Sequence, residues 1–193
     1  MAKIKFKKVP FDRIGRSLFS FLLAELISIW IVGIMSLILL PTIIPLHFGW
    51  NGAASSYGFS SILLIIALIF SVVPGIILVV SYYRFKLLNK YPYLVNIPFF
   101  YASIKNISSA RKGYWVNQYF NALMVGGVYI SCILLVLILE VYAAAQKDYI
   151  NGVLAIIIPV IAIVAVAVLM LILIKDMYRK MEKEITKKQK RRR

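Results

Sequence analysis

Residues 152–174 read GVLAIIIPVIAIVAVAVLMLILI, and no side chain after Gly152 in this stretch is polar. About 20 consecutive apolar residues suffice to cross the roughly 30 Å hydrocarbon core of a bilayer. The stretch meets that length and therefore predicts a membrane-spanning helix. Because it lacks polar side chains, we expect it to be the span most exposed to lipid.

Three further apolar stretches of similar length precede it, at residues 18–40, 60–83 and 119–143. Backbone groups in lipid must pair within their own segment, and these lengths suit helices rather than barrel strands. The chain of 193 residues is 62% hydrophobic and 16% charged, which argues against a water-soluble protein. We predict an all-α integral membrane protein with a bundle of four transmembrane helices. Pro74-Gly75 is expected to kink or locally unwind the second helix.

Basic residues orient the bundle. The 23 Lys and Arg exceed the 7 Asp and Glu and give a net charge of +16. All of the basic residues except Lys147 fall before the first span, between the second and third, or after the fourth. The positive-inside rule places those segments and both termini in the cytoplasm. Because topology accounts for this distribution, we expect no nucleic-acid partner.

These spans divide the chain into five parts. Residues 1–17 form a basic N-terminus, 18–83 a two-helix unit, 84–118 an inner loop, 119–174 a second helical pair, and 175–193 a polybasic tail.

The inner loop is too long for a turn, and Pro98 suits the first position of a short helix. On a helical wheel Phe99, Phe100, Ile104 and Ile107 gather on one side, with Lys105 and Lys112 broadly opposite. The pattern predicts an amphipathic helix in the interface, with its apolar face in acyl chains and cations toward anionic lipids. The residues expected to bind lipid or a partner here are Lys105, Arg111 and Lys112. A structural elbow without a partner and a protein docking surface are the alternatives.

The tail is expected to continue the last helix, with Asp176/Lys180 and Glu184/Lys188 as ion pairs at i,i+4. Cations beside a membrane exit attract anionic inner-leaflet lipids. An acidic protein partner and membrane-associated nucleic acid remain alternatives. The tail cations in question are Lys187, Lys188, Lys190, Arg191, Arg192 and Arg193.

Two acidic residues lie within the predicted spans. Glu25 shares a helix face with Ser28 and Ser36, so we expect it to point into the bundle. It either makes a hydrogen bond across helices, pairs with an inner-loop cation or serves a proton relay. Glu140 lies near the outer end of the third span and is expected to be solvated. With His47 and Asp148 it offers an alternative cation-binding or pH-sensing set.

Side-chain chemistry for catalysis is scarce. The chain has one Cys and one His, which excludes an intrachain disulfide and a Cys/His zinc site. We expect a protein without enzymatic activity, cofactor or metal. Ala122, Gly126, Gly127 and Ser131 form small-xxx-small spacings that favour close helix packing.

The outer loop at residues 41–59 contains no Lys, Arg, Asp or Glu. Pro41 and Pro45 favour extended backbone before them, and Asn51-Gly52 favours a tight turn with positive φ. We expect a compact cap packed on the helix ends, with His47 inside it.

The loop follows the order leucine-proline, isoleucine-proline, histidine-aromatic, glycine and aromatic-glycine. The residues are Leu40-Pro41, Ile44-Pro45, His47-Phe48, Gly52 and Tyr57-Gly58. Over about residues 20–85 the chain resembles the domain of unknown function at the N-terminus of SdpI-type bacterial immunity proteins. That domain also occurs in uncharacterised bacterial and archaeal membrane proteins. The resemblance implies a prokaryotic plasma-membrane protein.

An SdpI-type protein protects its cell from a secreted toxic peptide and, when engaged, holds a transcriptional repressor at the membrane. By resemblance, the outer loop would contact an extracytoplasmic ligand, and the basic inner segments would contact a cytoplasmic partner. The outer-loop residues in question are Pro41, Pro45, His47, Trp50, Gly52 and Tyr57. The alternatives are an accessory or structural subunit of a larger membrane complex and a small ion- or proton-coupled transporter that uses Glu25 and Pro74-Gly75.

Overall fold

The fold was taken from a computed structural model that describes residues 5–49, 51–91, 100, 103–147 and 152–190. Its helices are α1 (Arg13–Leu39), α2 (Ile62–Tyr82), α3 (Arg84–Lys90), α4 (Ser109–Lys147) and α5 (Gly152–Lys190), and its strands are β1 (Ile43–Phe48) and β2 (Ala54–Phe59).

Four helices, α1, α2, α4 and α5, are long and apolar enough to cross a membrane. This confirms the predicted helical, multi-pass membrane protein. α1 packs against α2 and α4, whereas α5 packs mainly against α4. The apolar part of α5 is the least buried of the four, as its uniform composition predicts.

The last two long helices extend beyond the predicted spans. α4 begins at Ser109 rather than at residue 119, and α5 continues through the predicted tail to Lys190. Each has 39 residues and is about 58 Å long, roughly twice the thickness of the hydrocarbon core. The start of α4 and the end of α5 therefore project from the same end of the bundle, which we call the basal end.

Small residues bring the helices into close contact. A Cβ added to Gly126 would lie 2.7 Å from the sulfur of Met170 on α5, and one added to Gly127 would lie 3.0 Å from Ile77 on α2. The small-xxx-small pattern thus serves packing on two sides of α4. α2 remains helical through Pro74, so the local unwinding expected there is not found.

A hydrophobic core separate from those of the helix bundle lies at the basal end, where the sequence predicted a loop. We call it the basal cluster, and its buried members are Phe6, Phe85, Leu88, Phe100, Ile104, Ile107, Trp115, Val116, Phe120, Met177 and Met181. Phe100 and Ile104 are fully buried among protein side chains, so the prediction that this face enters acyl chains is wrong for them. Residues 96–99, where that helix was predicted to begin, lie outside the described residues.

The outer segment forms an antiparallel β-hairpin, which the all-α prediction did not include. β1 and β2 pair from Ile43 opposite Phe59 to Phe48 opposite Ala54, with irregular register around His47. The hairpin lies at the opposite end of the bundle from the basal cluster, because Ile44 packs with Leu40 and with Ala145 near the end of α4.

Candidate functional site

The turn of the hairpin is built as its sequence predicts. Gly52 has a φ of 80°, a conformation that favours glycine. The amide of Gly52 donates to the carbonyl of Gly49 at 2.8 Å, and the side chain of Asn51 accepts from the amide of Ala53 at 3.1 Å. The predicted Asn51-Gly52 turn is therefore confirmed.

The hairpin has one anchored face and one exposed face. Ile44 is fully buried against the helix ends, and Leu46 packs beside it. Ile43, Tyr57 and Phe59 are 51%, 57% and 65% exposed and follow the two-residue repeat of one strand face. Because residues 41–59 contain no Lys, Arg, Asp or Glu, this face presents large apolar side chains and none of those four residue types.

The predicted outer-loop residues do not share one environment. Pro45 and Gly52 are buried, whereas Pro41, His47 and Tyr57 are exposed. The expectation that His47 lies inside the cap is wrong, because its side chain is exposed. Trp50 lies outside the described residues.

Glu25 points into the bundle as predicted. Its side chain is buried, and the thiol of Cys132 on α4 donates to Glu25 Oε1 at 2.7 Å. Glu25 Oε2 is buried and has no hydrogen-bond partner in the described structure. The expected hydrogen bond across helices is therefore present. Ser28 and Ser36 instead donate to carbonyls of their own helix, those of Ala24 and Gly33.

The alternative cation site at the hairpin end gains no support. Glu140 is half-buried, and Asp148 lies outside the described residues. Within the described ranges, no group of three His, Cys, Asp or Glu side chains is arranged to hold a metal ion.

In the sequence, Arg84 was counted only among the basic residues that orient the bundle. It is the main polar residue whose structural role that count missed. It is buried at the junction of α2 and α3. Its Nε donates to Asn117 Oδ1 at 2.8 Å, and Nη1 and Nη2 donate to the carbonyls of Ser81 and Val9 at 3.0 and 2.9 Å. The guanidinium carbon lies 3.4 Å from the ring centroid of Phe11. Desolvation lowers the pKa of Arg84 to about 10, so the side chain stays charged at neutral pH.

Amide side chains fasten the N-terminal segment beside Arg84. Asn117 Nδ2 donates to the carbonyl of Pro10 at 2.6 Å, and Asn89 exchanges two hydrogen bonds with the backbone of Phe6 at 2.8 and 3.0 Å. Asn121 Nδ2 donates at 3.1 Å to Asp12, which also caps α1 by accepting from the amide of Gly15. We call Arg84 with Asn89, Asn117 and Asn121 the basal clamp. In the sequence, the i,i+4 spacing of Asn117 and Asn121 is the pattern that indicates a polar helix face here.

The predicted lipid-binding cations have different environments. Arg111 pairs with Glu184 at 3.2 Å, so the start of α4 is joined to the end of α5. Lys105, Lys187 and Lys190 are exposed, and Lys112 is half-buried. Asp176 and Lys180 form the expected pair at 2.6 Å. The side chain of Lys188 and residues 191–193 lie outside the described part.

No family model and no solved structure matches the chain. One relative is described as an uncharacterized protein from Archaeoglobus fulgidus and is 34% identical over 122 residues. The matched stretch covers 63% of this chain and 67% of that protein. The chain therefore belongs to the same family as this Archaeoglobus fulgidus protein.

Proposed function

We propose that the protein is a non-enzymatic, SdpI-like receptor of a prokaryotic plasma membrane. In this proposal both termini face the cytoplasm and the hairpin faces outward. The hairpin contacts an extracytoplasmic ligand, and the basal end contacts a cytoplasmic partner. The resemblance of the hairpin motif to SdpI-type immunity proteins motivates the proposal.

The observation that carries this proposal is the exposed apolar face of the hairpin. Ile43, Tyr57 and Phe59 are exposed although Ile44 on the other face is fully buried. An exposed apolar patch on an anchored element is typical of an interaction surface. A peptide with apolar side chains fits such a surface, because it would remove this area from water without having to desolvate a charge.

The test is whether cells that lack the gene survive in their own concentrated culture supernatant. Wild-type protein should restore survival, whereas a Tyr57→Ala/Phe59→Ala variant should not. The matched control is Leu68→Ala/Ile69→Ala, which truncates exposed side chains on α2 instead. If cells without the gene survive as well as wild-type cells, the immunity function is refuted.

A role as an accessory subunit is the second candidate. The exposed sides of α5 favour it, because this helix contacts mainly α4 and leaves most of its apolar surface outside the bundle. A protein partner in the membrane would cover that surface. Affinity purification in a mild detergent should then recover a second membrane protein in a fixed ratio, whereas recovery of this chain alone would contradict it.

A further inference from the structure

A groove of about 670 Å³ opens at the basal end, between the segment before α1 and the junction of α2 with α3. Its walls combine positive charge with aromatic rings. The residues that matter here are Lys8, Arg16, Phe19, Ser20, Tyr82 and Lys86. Among the described residues that line the groove, none is acidic.

The positive charge of the groove is available to a ligand. Arg84 lies in the same wall, but its donors are directed to Asn117, Ser81 and Val9. Lys8, Arg16 and Lys86 are exposed, and none of them forms an ion pair with a carboxylate in the part of the chain that the structure describes. Three cations that line one groove without an acid favour a ligand with a concentrated negative charge.

The aromatic wall lies where the basal ends of α1 and α2 meet. Phe19 and Ser20 belong to the first turns of α1, and Tyr82 is the last residue of α2. Tyr82 is 66% exposed, and its ring lies edge-on to that of Tyr83. Tyrosine at such a position is typical of the membrane interface. The groove thus combines basic side chains with aromatic side chains of the kind that favour the interface.

We propose that this groove binds one anionic phospholipid. Lys8, Arg16 and Lys86 hold its phosphate, and its acyl chains run along Phe19 and Tyr82. A soluble phosphate ester shares the charge but has nothing to place against the aromatic rings, so the wall favours a lipid as the source of the phosphate. This site is independent of the hairpin and of the receptor function proposed above.

Native mass spectrometry of the full-length chain tests this proposal. The chain is released from bilayers of phosphatidylglycerol and phosphatidylcholine in equal amounts, and we expect one retained phosphatidylglycerol per chain. A Lys8→Gln/Arg16→Gln/Lys86→Gln variant should lose this lipid. Each cation near a membrane surface contributes about fivefold in affinity, so affinity should fall by roughly a hundredfold.

The matched control is Lys175→Gln/Arg179→Gln/Lys183→Gln, which removes the same side-chain types from exposed positions on α5, outside the groove. It should retain the lipid. Ser20→Trp is a second variant that fills the groove without a change of charge, and it should also lose the lipid. Thermal unfolding of each variant in detergent verifies that the bundle remains folded.

Equal retention of the two lipids would overturn the proposal, as would equal loss of phosphatidylglycerol from the groove variant and the charge-matched control. The same experiment with millimolar glycerol 3-phosphate separates the two sources of phosphate. Continued retention of phosphatidylglycerol supports a lipid site. Its replacement by glycerol 3-phosphate would show that the groove binds a soluble phosphate ester instead, and the lipid proposal would be wrong.

Discussion

Arg84 holds three chain segments together at the basal end. Its guanidinium joins the N-terminal segment through Val9, the end of α2 through Ser81 and the start of α4 through Asn117. No carboxylate pairs with it in the described structure, so neutral acceptors and the ring of Phe11 stabilise the buried charge. A planar fork with several donors suits this arrangement better than a lysine ammonium group would.

Replacement of Arg84 should destabilise the protein. In Arg84→Gln the carbonyl of Val9 and the side-chain oxygen of Asn117 lose their donors, and each unpaired buried acceptor costs about 1–3 kcal/mol. We therefore expect a fall of roughly 2–4 kcal/mol in the free energy of unfolding, seen as a lower thermal midpoint in detergent. The free energy of unfolding of Arg84→Lys should fall by nearly as much. Lys90→Gln, an exposed position on the same short helix and outside the groove, should leave the midpoint unchanged. Equal effects of Arg84→Gln and Lys90→Gln would show that the clamp is unimportant for stability.

Replacement of Glu25 by Gln distinguishes a structural role of this side chain from a role in transport. Glu25→Gln keeps the size of the side chain and an oxygen that can accept from Cys132, but it removes the cost of an ionisable group at this depth. We expect an unchanged or higher thermal midpoint. Proton flux in proteoliposomes should be absent from both wild type and variant. Flux in the wild type that disappears in Glu25→Gln would favour the transporter alternative.

Gly52 and Gly75 lie in different backbone conformations, so replacement by alanine should change stability in opposite directions. Gly52 has a positive φ in the hairpin turn, where an alanine Cβ costs about 1–2 kcal/mol. Gly75 lies within helical α2, and a Cβ added there would meet nothing within 4 Å. We expect Gly52→Ala to lower the thermal midpoint. Gly75→Ala should raise it, because alanine is favoured over glycine in helices by about 1 kcal/mol. Similar shifts for both variants would contradict this account of the turn.

Glu184 fixes the end of α5 to the start of α4. It accepts from Arg111 at 3.2 Å and from the indole nitrogen of Trp115 at 3.0 Å. Because the site is partly exposed, the net contribution is about 1 kcal/mol. Glu184→Gln should therefore make trypsin cleavage after Lys183 and Lys187 about fivefold faster. Glu182→Gln, at an exposed position two residues away, is the control and should leave the rate unchanged.

The long helices and the hairpin turn were predictable from the sequence, because the thickness of the bilayer and local backbone chemistry determine them. All four long helices coincide with apolar runs, and Gly52 adopts the conformation that Asn51-Gly52 predicts. The extent of α4 was not predictable from hydropathy, because its first turns carry polar residues such as Asn117. The exposure of His47 was not predictable either, because the face that a strand side chain occupies depends on how β1 pairs with β2 and packs on the helices.

The described residues pack in three hydrophobic clusters, and sequence reasoning missed the one at the basal end. An amphipathic segment has the same pattern of apolar and polar residues whether its apolar face enters lipid or packs on protein. Phe100 and Ile104 were therefore placed in acyl chains, although they pack in the basal cluster with Met181 of the predicted tail. The basal clamp was missed for a related reason, since Arg84 and Asn117 are 33 residues apart and meet only in the folded chain.

Orientation in the membrane is the claim on which the proposed function depends. The structure places the first and last described residues at the basal end and the hairpin at the other. The distribution of Lys and Arg predicts that the basal end faces the cytoplasm. An outward hairpin can contact a secreted ligand, whereas an inward one cannot.

Accessibility of single cysteines to a membrane-impermeant maleimide tests this orientation most directly. Cys132→Ser removes the only natural cysteine, and Ser55→Cys and Lys183→Cys then report on exposed positions in the hairpin and the tail helix. In intact cells Ser55→Cys should be labelled, and Lys183→Cys should be labelled only after the membrane is permeabilised. Labelling of both positions in intact cells, or of Lys183→Cys alone, would contradict the orientation and the receptor function built on it.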